Sequence, residues 1–189
     1  MTNSLDCVEK ADAILLLGSN TSGQYYAVYR RIENAVLKGK QLIVVDPVRT
    51  PVSGLATHFL QINPGTDIAL VNGLMHVLIE EDLIDKKFIK DRTKGFEQLK
   101  DLLSKFTPQA VEEITGVSRD LITSAARVYG RAERGMIVYT LGITQHSFGT
   151  DNVFSLVNLS LLTGNFGREG TGVNPLRGQT NVQGTGDMG

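Results

Sequence analysis

Two short, uninterrupted apolar runs constrain the fold of this chain most strongly. The first is AILLL at Ala13 to Leu17, and the second is LIVV at residues 42–45, within the predicted strand QLIVV at residues 41–45. Strands covered on both faces are continuously apolar, whereas half-exposed strands alternate between apolar and polar residues. The stretch GQYYAVYRRIENAVLKGK, residues 23–40, places apolar residues such as Val28 and Ile32 at helical spacing. The pattern predicts a strand–helix–strand unit with parallel strands.

The same alternation continues along the chain. THFLQI at residues 57–62 predicts a third strand, and GMIVYTLG at residues 135–142 predicts a fourth. Helical patterns begin at NPGTD, fill most of the stretch from Leu83 to Tyr129, and return at residues 149–165. Strands that alternate with helices indicate an α/β fold with an open, largely parallel sheet flanked by helices.

The last residues, GVNPLRGQTNVQGTGDMG at 172–189, contain no periodic apolar pattern. Few of these side chains can offset the entropy lost on ordering, so we expect this segment to be disordered in isolation. The sequence therefore predicts an α/β domain over residues 1–171 and a separate glycine-rich segment over residues 172–189.

Composition excludes several classes of function. A net charge of −1 over 189 residues provides no broad basic surface for nucleic acid or for an anionic membrane. The apolar runs are too short to span a bilayer, and the polar start MTNSLDCVEKADA does not have the pattern of a signal peptide. Cys7 is the one cysteine, so it cannot form an internal disulfide or hold an iron–sulfur cluster alone. The three histidines lie far apart, and no metal ligands are predicted.

Small and acidic residues follow the first two predicted strands. Gly18, Ser19 and Asn20 form a small-residue turn before a helix, where backbone amides can receive a phosphate. The stretch GSNTSG is not the GxGxxG fingerprint of dinucleotide-binding folds. Asp46 follows the second strand, at the position that contacts ribose hydroxyls in such sheets. Taken singly, each of these residues is more often an ordinary turn residue than a binding residue.

Polar residues also follow the third and fourth strands. Gly65 and Asp67 lie in the NPGTD turn, where a carboxylate could accept two hydrogen bonds from a guanine edge or simply cap the helix. Gln145 and His146 follow the fourth strand, and a lone histidine there is more often a packing or hydrogen-bonding residue than a catalyst. Together these residues favour a nucleotide site at the carboxyl edge of the sheet, without naming the nucleotide.

Several blocks of the sequence resemble those of a known enzyme family. In order, ADAILLLGSN, IVVDPVRT, PGTDIALVNGLMHVLIEE, LGITQHSFGTDNV and above all GVNPLRGQTNVQG resemble the catalytic alpha subunit of molybdenum- or tungsten-dependent formate dehydrogenases. These enzymes are molybdopterin oxidoreductases with a bis-molybdopterin guanine dinucleotide cofactor. The resemblance covers the whole chain. It implies a Rossmann-like sheet, as in domains 1–3 of formate dehydrogenase and DMSO reductase.

The resemblance implies a role for each candidate residue in holding the guanosine diphosphate arm of one cofactor. Gly18, Ser19 and Asn20 match the diphosphate turn, and Asp46 matches the ribose contact. Gly65 and Asp67 match the guanine end, and Gln145 matches a place nearer the pterin.

The glycine-rich segment carries the residues that the resemblance places beside the metal. Arg177 matches the family arginine that orients formate, and a planar guanidinium can grip a carboxylate through paired N–H bonds. Gly178 would allow close approach to the cofactor, and Gln179 matches a polar neighbour of the metal site.

Full-length members of the family carry further parts that this sequence does not contain. These are an N-terminal cysteine cluster for a [4Fe–4S] centre, a cysteine or selenocysteine that ligates the metal, and a C-terminal β-barrel domain. We therefore expect a middle domain of a larger alpha subunit that is inactive alone. Its expected partners are the remaining domains, formate or CO₂, and iron–sulfur electron-transfer subunits, with no nucleic acid and no membrane contact. The expected location is cytoplasmic, or periplasmic if an export signal lies upstream.

Two other readings remain open. The chain could be a domain of another molybdopterin oxidoreductase such as nitrate reductase, because GSN, DP and PGTD-like blocks occur there too. It could also be a non-catalytic module that binds GDP or GTP.

Overall fold

A parallel five-stranded sheet forms the centre of the computed structural model, which describes residues 3–177, 186 and 188. The strands are β1 (Ala13–Leu17), β2 (Gln41–Val45), β3 (His58–Leu60), β4 (Gly135–Tyr139) and β5 (Gly172–Pro175). Their order is β3-β2-β1-β4-β5, and every neighbouring pair is parallel. The predicted α/β fold with an open parallel sheet is confirmed.

Helices cover both faces of this sheet. They are α1 (Thr21–Gln24), α2 (Tyr26–Leu37), α3 (Asp67–Glu80), α4 (Lys86–Arg92), α5 (Phe96–Leu103), α6 (Pro108–Thr115), α7 (Arg119–Gly130), α8 (Leu141–Thr144) and α9 (Gly149–Leu162). Two 3₁₀ helices span Leu5–Lys10 and Pro51–Leu55. Within the part of the chain that the structure describes, no helix has both the length and the apolar character needed to cross a membrane.

The central strand explains why its apolar run is uninterrupted. Leu15 and Leu17 of β1 belong to a core built with α3, α6, α7 and α9, whereas Ile14 and Leu16 belong to a second core with α2 and the N-terminal 3₁₀ helix. Alternate side chains of a strand point to opposite faces, and here both faces are buried. The sheet is therefore a rigid middle layer whose strand ends position the turns.

The predicted helix over residues 23–40 is divided in the structure. The one-turn helix α1 ends at Gln24, and α2 begins at Tyr26, because Tyr25 between them has non-helical backbone angles, φ −134° and ψ 55°. Gly39 follows the end of α2 with a positive φ of 82°, as expected of a terminating glycine. The turn after β1 is therefore followed by a single helical turn, and the dipole of a long helix does not begin there.

The fifth strand, β5, was not predicted from the sequence. Gly172 pairs with Met136 and Pro175 with Tyr139, so the sheet continues past the predicted domain boundary after residue 171. Asn174 is fully buried in β5, where its amide group donates hydrogen bonds to the carbonyl oxygens of Gly172 at 3.1 Å and Ile137 at 3.3 Å. Residues 178–185, 187 and 189, which the expected disorder also concerns, lie outside the described residues.

Candidate nucleotide site at the carboxyl edge of the sheet

The turns after β1, β2, β3 and β4 meet around a cleft of about 520 Å³. The cleft lies at the carboxyl edge of the sheet, where β1 stands between β2 and β4 and the strand order reverses. The structure brings together the candidates predicted after all four strands. Lining the cleft are Gly18, Ser19, Asn20, Asp46, Gly65, Asp67 and Gln145.

A larger depression of about 790 Å³ lies elsewhere, between α4 and the chain that follows α9. Phe88 and Phe166 contribute to its walls, together with Arg92 and Arg168. Its lining includes no buried hydroxyl that is without a partner among the described residues. The smaller cleft is therefore the better candidate, because its buried polar groups still require partners.

Two glycines bring the turns after β1 and β4 into backbone contact at the cleft. Gly18 has a φ of +53°, and the N–H of Gly142 donates to its carbonyl oxygen at 3.2 Å. A Cβ on Gly18 would lie 2.8 Å from Cα of Gly142, and a Cβ on Gly142 would lie 2.6 Å from Cα of Gly18. The Thr140 hydroxyl donates to the same Gly18 carbonyl. Both positions therefore require glycine, and the sequence analysis recognised only Gly18 as a site residue.

Buried hydroxyl groups without partners lie in and beside the cleft. Ser19 and Thr50 line it, and Thr21 follows directly at the start of α1. The side-chain oxygens of all three have no hydrogen-bond partner among the described residues. Buried polar groups are nearly always paired, and each one left unpaired costs about 1–3 kcal/mol. These hydroxyls are therefore suited to a ligand that supplies hydrogen-bonding oxygens, and the sequence analysis did not identify Thr21 or Thr50.

Asn20 has a divided role in the turn after β1. Its side-chain oxygen caps α1 by accepting from the N–H of Gly23 at 3.3 Å, and it also accepts from the Ser22 hydroxyl at 2.8 Å. Because the oxygen is used within the chain, the amide N–H₂ is the half of the side chain that can donate to a ligand.

Two buried carboxyl groups occupy the second and third strand ends. Asp46 is 8% exposed and Asp67 is 6% exposed. Burial raises the pKa of Asp46, although backbone N–H groups of Val48 and Ser19 partly oppose the rise. Burial also raises the pKa of Asp67; its own backbone N–H and the charge of His146 oppose this rise, and the charge of Asp46 adds to it. The two carboxyl groups therefore interact electrostatically, and ligand N–H or O–H donors would relieve the cost of their burial.

His146 lies on the loop between α8 and α9 and lines the same cleft. Its Nε2 is 2.8 Å from the carbonyl oxygen of Gly142, so Nε2 is the donor in this bond. The ring stacks on Phe148, with centroids 5.4 Å apart and planes 16° apart. The imidazole is thus held in a defined position, although the sequence analysis left it as an ordinary packing or hydrogen-bonding residue.

Arg177 is exposed at the same edge of the sheet, two residues after β5. The N–H of Leu176 donates to the carbonyl oxygen of Tyr139 at 2.9 Å and anchors this end of the chain to β4. Burial raises the pKa of Tyr139, and the positive charge of Arg177 opposes the rise, so the two side chains interact electrostatically. Arg177 is not among the described residues that line the cleft, while Gly178 and Gln179 lie outside the described residues.

Potential metal ligands do not cluster in residues 3–177. No group of three or more histidine, cysteine, aspartate or glutamate side chains there could hold a metal ion. Cys7 is buried in the core on the α2 side of the sheet.

Comparison with known proteins identifies the family. Residues 1–189 match the family model described as molybdopterin oxidoreductase. The chain belongs to the molybdopterin oxidoreductases. It is 52% identical over its full length to the F420-dependent formate dehydrogenase subunit alpha of Methanocaldococcus jannaschii, and it covers 28% of that protein. It is 40% identical to formate dehydrogenase H of Escherichia coli, of which it covers 26%.

A solved structure of another enzyme has the same fold. Acetylene hydratase from Pelobacter acetylenicus matches with a TM-score of 0.79 and 27% identity, over 86% of this chain and 24% of that chain. The resemblance inferred from the sequence blocks is confirmed. The chain spans little more than a quarter of the formate dehydrogenases it matches, 28% and 26% of their lengths. Membership of this family implies a molybdopterin cofactor that carries molybdenum or tungsten.

Proposed function

We propose that this chain is a cofactor-binding domain of a molybdenum- or tungsten-dependent formate dehydrogenase alpha subunit. In this proposal the cleft holds the guanosine diphosphate arm of a bis-molybdopterin guanine dinucleotide cofactor. The observation that carries it is the meeting, at one sheet edge, of two buried carboxyl groups and buried hydroxyls that no described residue satisfies. A nucleoside diphosphate offers acceptor oxygens to the hydroxyls and N–H and O–H donors to the carboxylates, so the two sets of groups fit its two ends.

The proposed contacts follow the order of the strands. Ser19, Thr50 and the amide N–H₂ of Asn20 would donate to the diphosphate, which passes close to Gly18 because no side chain intervenes. Asp46 would accept from the ribose hydroxyls.

The base would lie at the third strand end. Asp67 would accept from the two adjacent N–H donors of the guanine edge, and Gly65 would lie beside it. Gln145 would lie nearer the pterin.

Arg177 is the proposed formate-binding residue. When bound, the cofactor would supply the metal centre at which formate is oxidised to CO₂ with transfer of two electrons. Arg177 would hold the formate carboxylate through paired N–H bonds and keep it oriented, since a guanidinium stays charged at any working pH. Gly178 and Gln179 keep the neighbouring roles predicted from the sequence. Formate is favoured over other substrates of the family because the relatives at 52% and 40% identity are named formate dehydrogenases.

The proposed setting follows from the same relatives. The protein of M. jannaschii is named a subunit alpha, which supports an assembly with further subunits. We propose iron–sulfur electron-transfer subunits as those partners, a [4Fe–4S] centre in another part of the alpha subunit, and a cytoplasmic location.

Calorimetric titration of the 189-residue chain tests the nucleotide site directly. We expect GDP to bind about ten-fold more tightly than ADP, because adenine presents no pair of adjacent N–H donors to Asp67. Asp67→Asn should remove this preference for GDP. Asp46→Asn should lower the affinities for GDP and ADP equally, because both nucleotides contain the ribose that Asp46 contacts. Asp101→Asn, at an exposed position of α5, serves as the control and should change neither affinity. Equal affinities for GDP and ADP, or no binding of either, would contradict the proposal.

A further inference from the structure

His146 and Phe148 form a stacked pair of rings at the side of the cleft, which we call the aromatic shelf. The shelf belongs to the loop between α8 and α9, so it comes from a different part of the chain than the acidic residues opposite it. His146 lines the cleft, and Asp67 experiences its charge. Nothing in the family comparison assigns a role to either ring.

The shelf is tied to the turn that carries Asp67. Gly65 has a φ of +81°, and a Cβ placed on it would lie 3.8 Å from Cζ of Phe148. An alanine side chain at this position would just reach the Phe148 ring, so the turn before α3 and the shelf are near neighbours. Asp67, two residues later, and His146, two residues before Phe148, are consequently held on neighbouring walls of one space.

We propose that His146 is a specificity residue whose ring stacks on the base of the bound nucleotide and so selects a purine over a pyrimidine. This inference rests on the proposed nucleotide site and names a contact that the site's acidic residues cannot make. Asp67 can read the edge of a base, but an edge contact alone leaves the faces of the base uncovered. A planar ring beside it supplies the missing face.

The imidazole is suited to this role because its position is already fixed. The Gly142 carbonyl accepts its Nε2 hydrogen at 2.8 Å, and Phe148 covers one side of the ring. His146 lines the cleft and Phe148 is not among the described residues that do, so of the two rings the imidazole belongs to the residue beside the space for a ligand. A ring that is held before binding loses little conformational entropy when a base stacks on it.

Stacking also explains what kind of discrimination to expect. Every base has a π face, so any base can stack on a flat neighbour. The larger purine overlaps that neighbour more fully than a pyrimidine does. The shelf should therefore separate GDP from CDP. Separation of GDP from ADP should remain the task of Asp67.

The experiment titrates GDP, CDP and inorganic pyrophosphate into the full 189-residue chain and three variants. His146→Ala removes the ring, His146→Phe keeps a planar ring without the hydrogen bond to Gly142, and Ser147→Ala alters the exposed neighbour. We expect His146→Ala to weaken GDP about ten-fold and CDP by much less, with pyrophosphate binding unchanged. His146→Phe should recover GDP affinity to within about three-fold, and Ser147→Ala should behave like the unsubstituted chain.

Each outcome has a defined meaning. If His146→Ala binds GDP as tightly as the unsubstituted chain, the stacking role is wrong while the nucleotide site stands. Equal loss of GDP, CDP and pyrophosphate in His146→Ala would also overturn it, since that result indicates a structural role. If the unsubstituted chain binds no GDP, the proposed function and this inference both fail. Circular dichroism of each variant establishes that the fold is retained.

Discussion

The backbone contact between Gly18 and Gly142 allows a quantitative test of how the cleft is built. Alanine at Gly18 would face two separate costs. The first is its left-handed backbone, with φ +53°, which costs an L-residue roughly 1–2 kcal/mol. The second is a Cβ only 2.8 Å from two backbone atoms of Gly142, where no flexible side chain can move aside. Overpacking of this kind costs about 1–3 kcal/mol.

Relief of the clash would also separate the two turns. That movement would lengthen the 3.2 Å hydrogen bond from Gly142 N–H to Gly18 O, worth about 0.5–1.5 kcal/mol. The combined loss in the free energy of unfolding for Gly18→Ala is therefore about 4 kcal/mol. For a domain of this size each kcal/mol shifts Tm by about 2–4 °C, so we expect a fall of roughly 8–16 °C.

Two other glycines separate these costs. Gly39 has a φ of +82° with open space around its missing Cβ, so Gly39→Ala should show the backbone cost alone, about 1–2 kcal/mol. Gly142 has no positive φ but would place its Cβ 2.6 Å from Gly18, so Gly142→Ala should show the clash and the weakened hydrogen bond without the backbone cost. Gly54, with open space and no positive φ, should tolerate alanine with a change of at most about 0.5–1 kcal/mol, in the stabilising direction.

Urea and thermal unfolding followed by circular dichroism measure all four variants. We expect Gly18→Ala to be the least stable of the four variants. Gly142→Ala should lose most of its GDP affinity, because its turn borders the cleft. If Gly18→Ala and Gly39→Ala lose the same stability, the contact between the turns contributes nothing and our account of the cleft is wrong.

Three further predictions concern pH and activity. Asp67→Asn should become more stable than the unsubstituted chain as pH rises from 4 to 7. Burial raises the folded-state pKa of Asp67 above 3.8, so the folded unsubstituted chain binds more protons than the unfolded one in that window and loses stability with rising pH. A Tm difference between the two chains that does not grow with pH would contradict this. His58→Gln should reduce the loss of stability that occurs as pH falls below 6.5. Burial lowers the folded-state pKa of His58, so the unfolded chain binds more protons than the folded chain as pH falls. Thermal unfolding at pH 5 to 7 measures this, and an unchanged dependence of Tm on pH would count against it. The 189-residue chain should not reduce a viologen dye with formate, because it has one cysteine, Cys7, and that thiol is buried; measurable dye reduction would refute this expectation.

Features with a local sequence signature were predictable. Continuous apolar runs gave β1 and β2, because a strand buried on both faces has no polar positions to interrupt it. The candidates after each strand were predictable because parallel strands bring their carboxyl ends to one edge. Asp46 and Asp67 therefore reach one cleft although 20 positions separate them in the sequence numbering.

Features that depend on long-range contact were not predictable. β5 is short and contains Gly172, Asn174 and Pro175, none of which favours a strand. It forms because β4 supplies a partner and because backbone carbonyls satisfy the buried Asn174 amide. Likewise, nothing in the local sequence shows that Gly142, in the one-turn helix α8, must be glycine. The requirement arises from Gly18, which is remote in sequence and adjacent in space.

The cleft also shows why stability and binding should oppose each other in this domain. Ser19 and Thr50 keep buried hydroxyls that have no partner within the described part of the chain, and Asp46 and Asp67 keep carboxyl groups buried with raised pKa values. Each feature costs folding free energy in the free chain, and each is relieved by a ligand that donates to the carboxylates and accepts from the hydroxyls. Substitutions that remove these groups, such as Ser19→Ala or Asp67→Asn, should therefore leave the free chain as stable or more stable at neutral pH while weakening GDP. A substitution at a core position without a ligand-directed role should instead destabilise the free chain. The sign of the stability change therefore distinguishes a binding residue from a structural one.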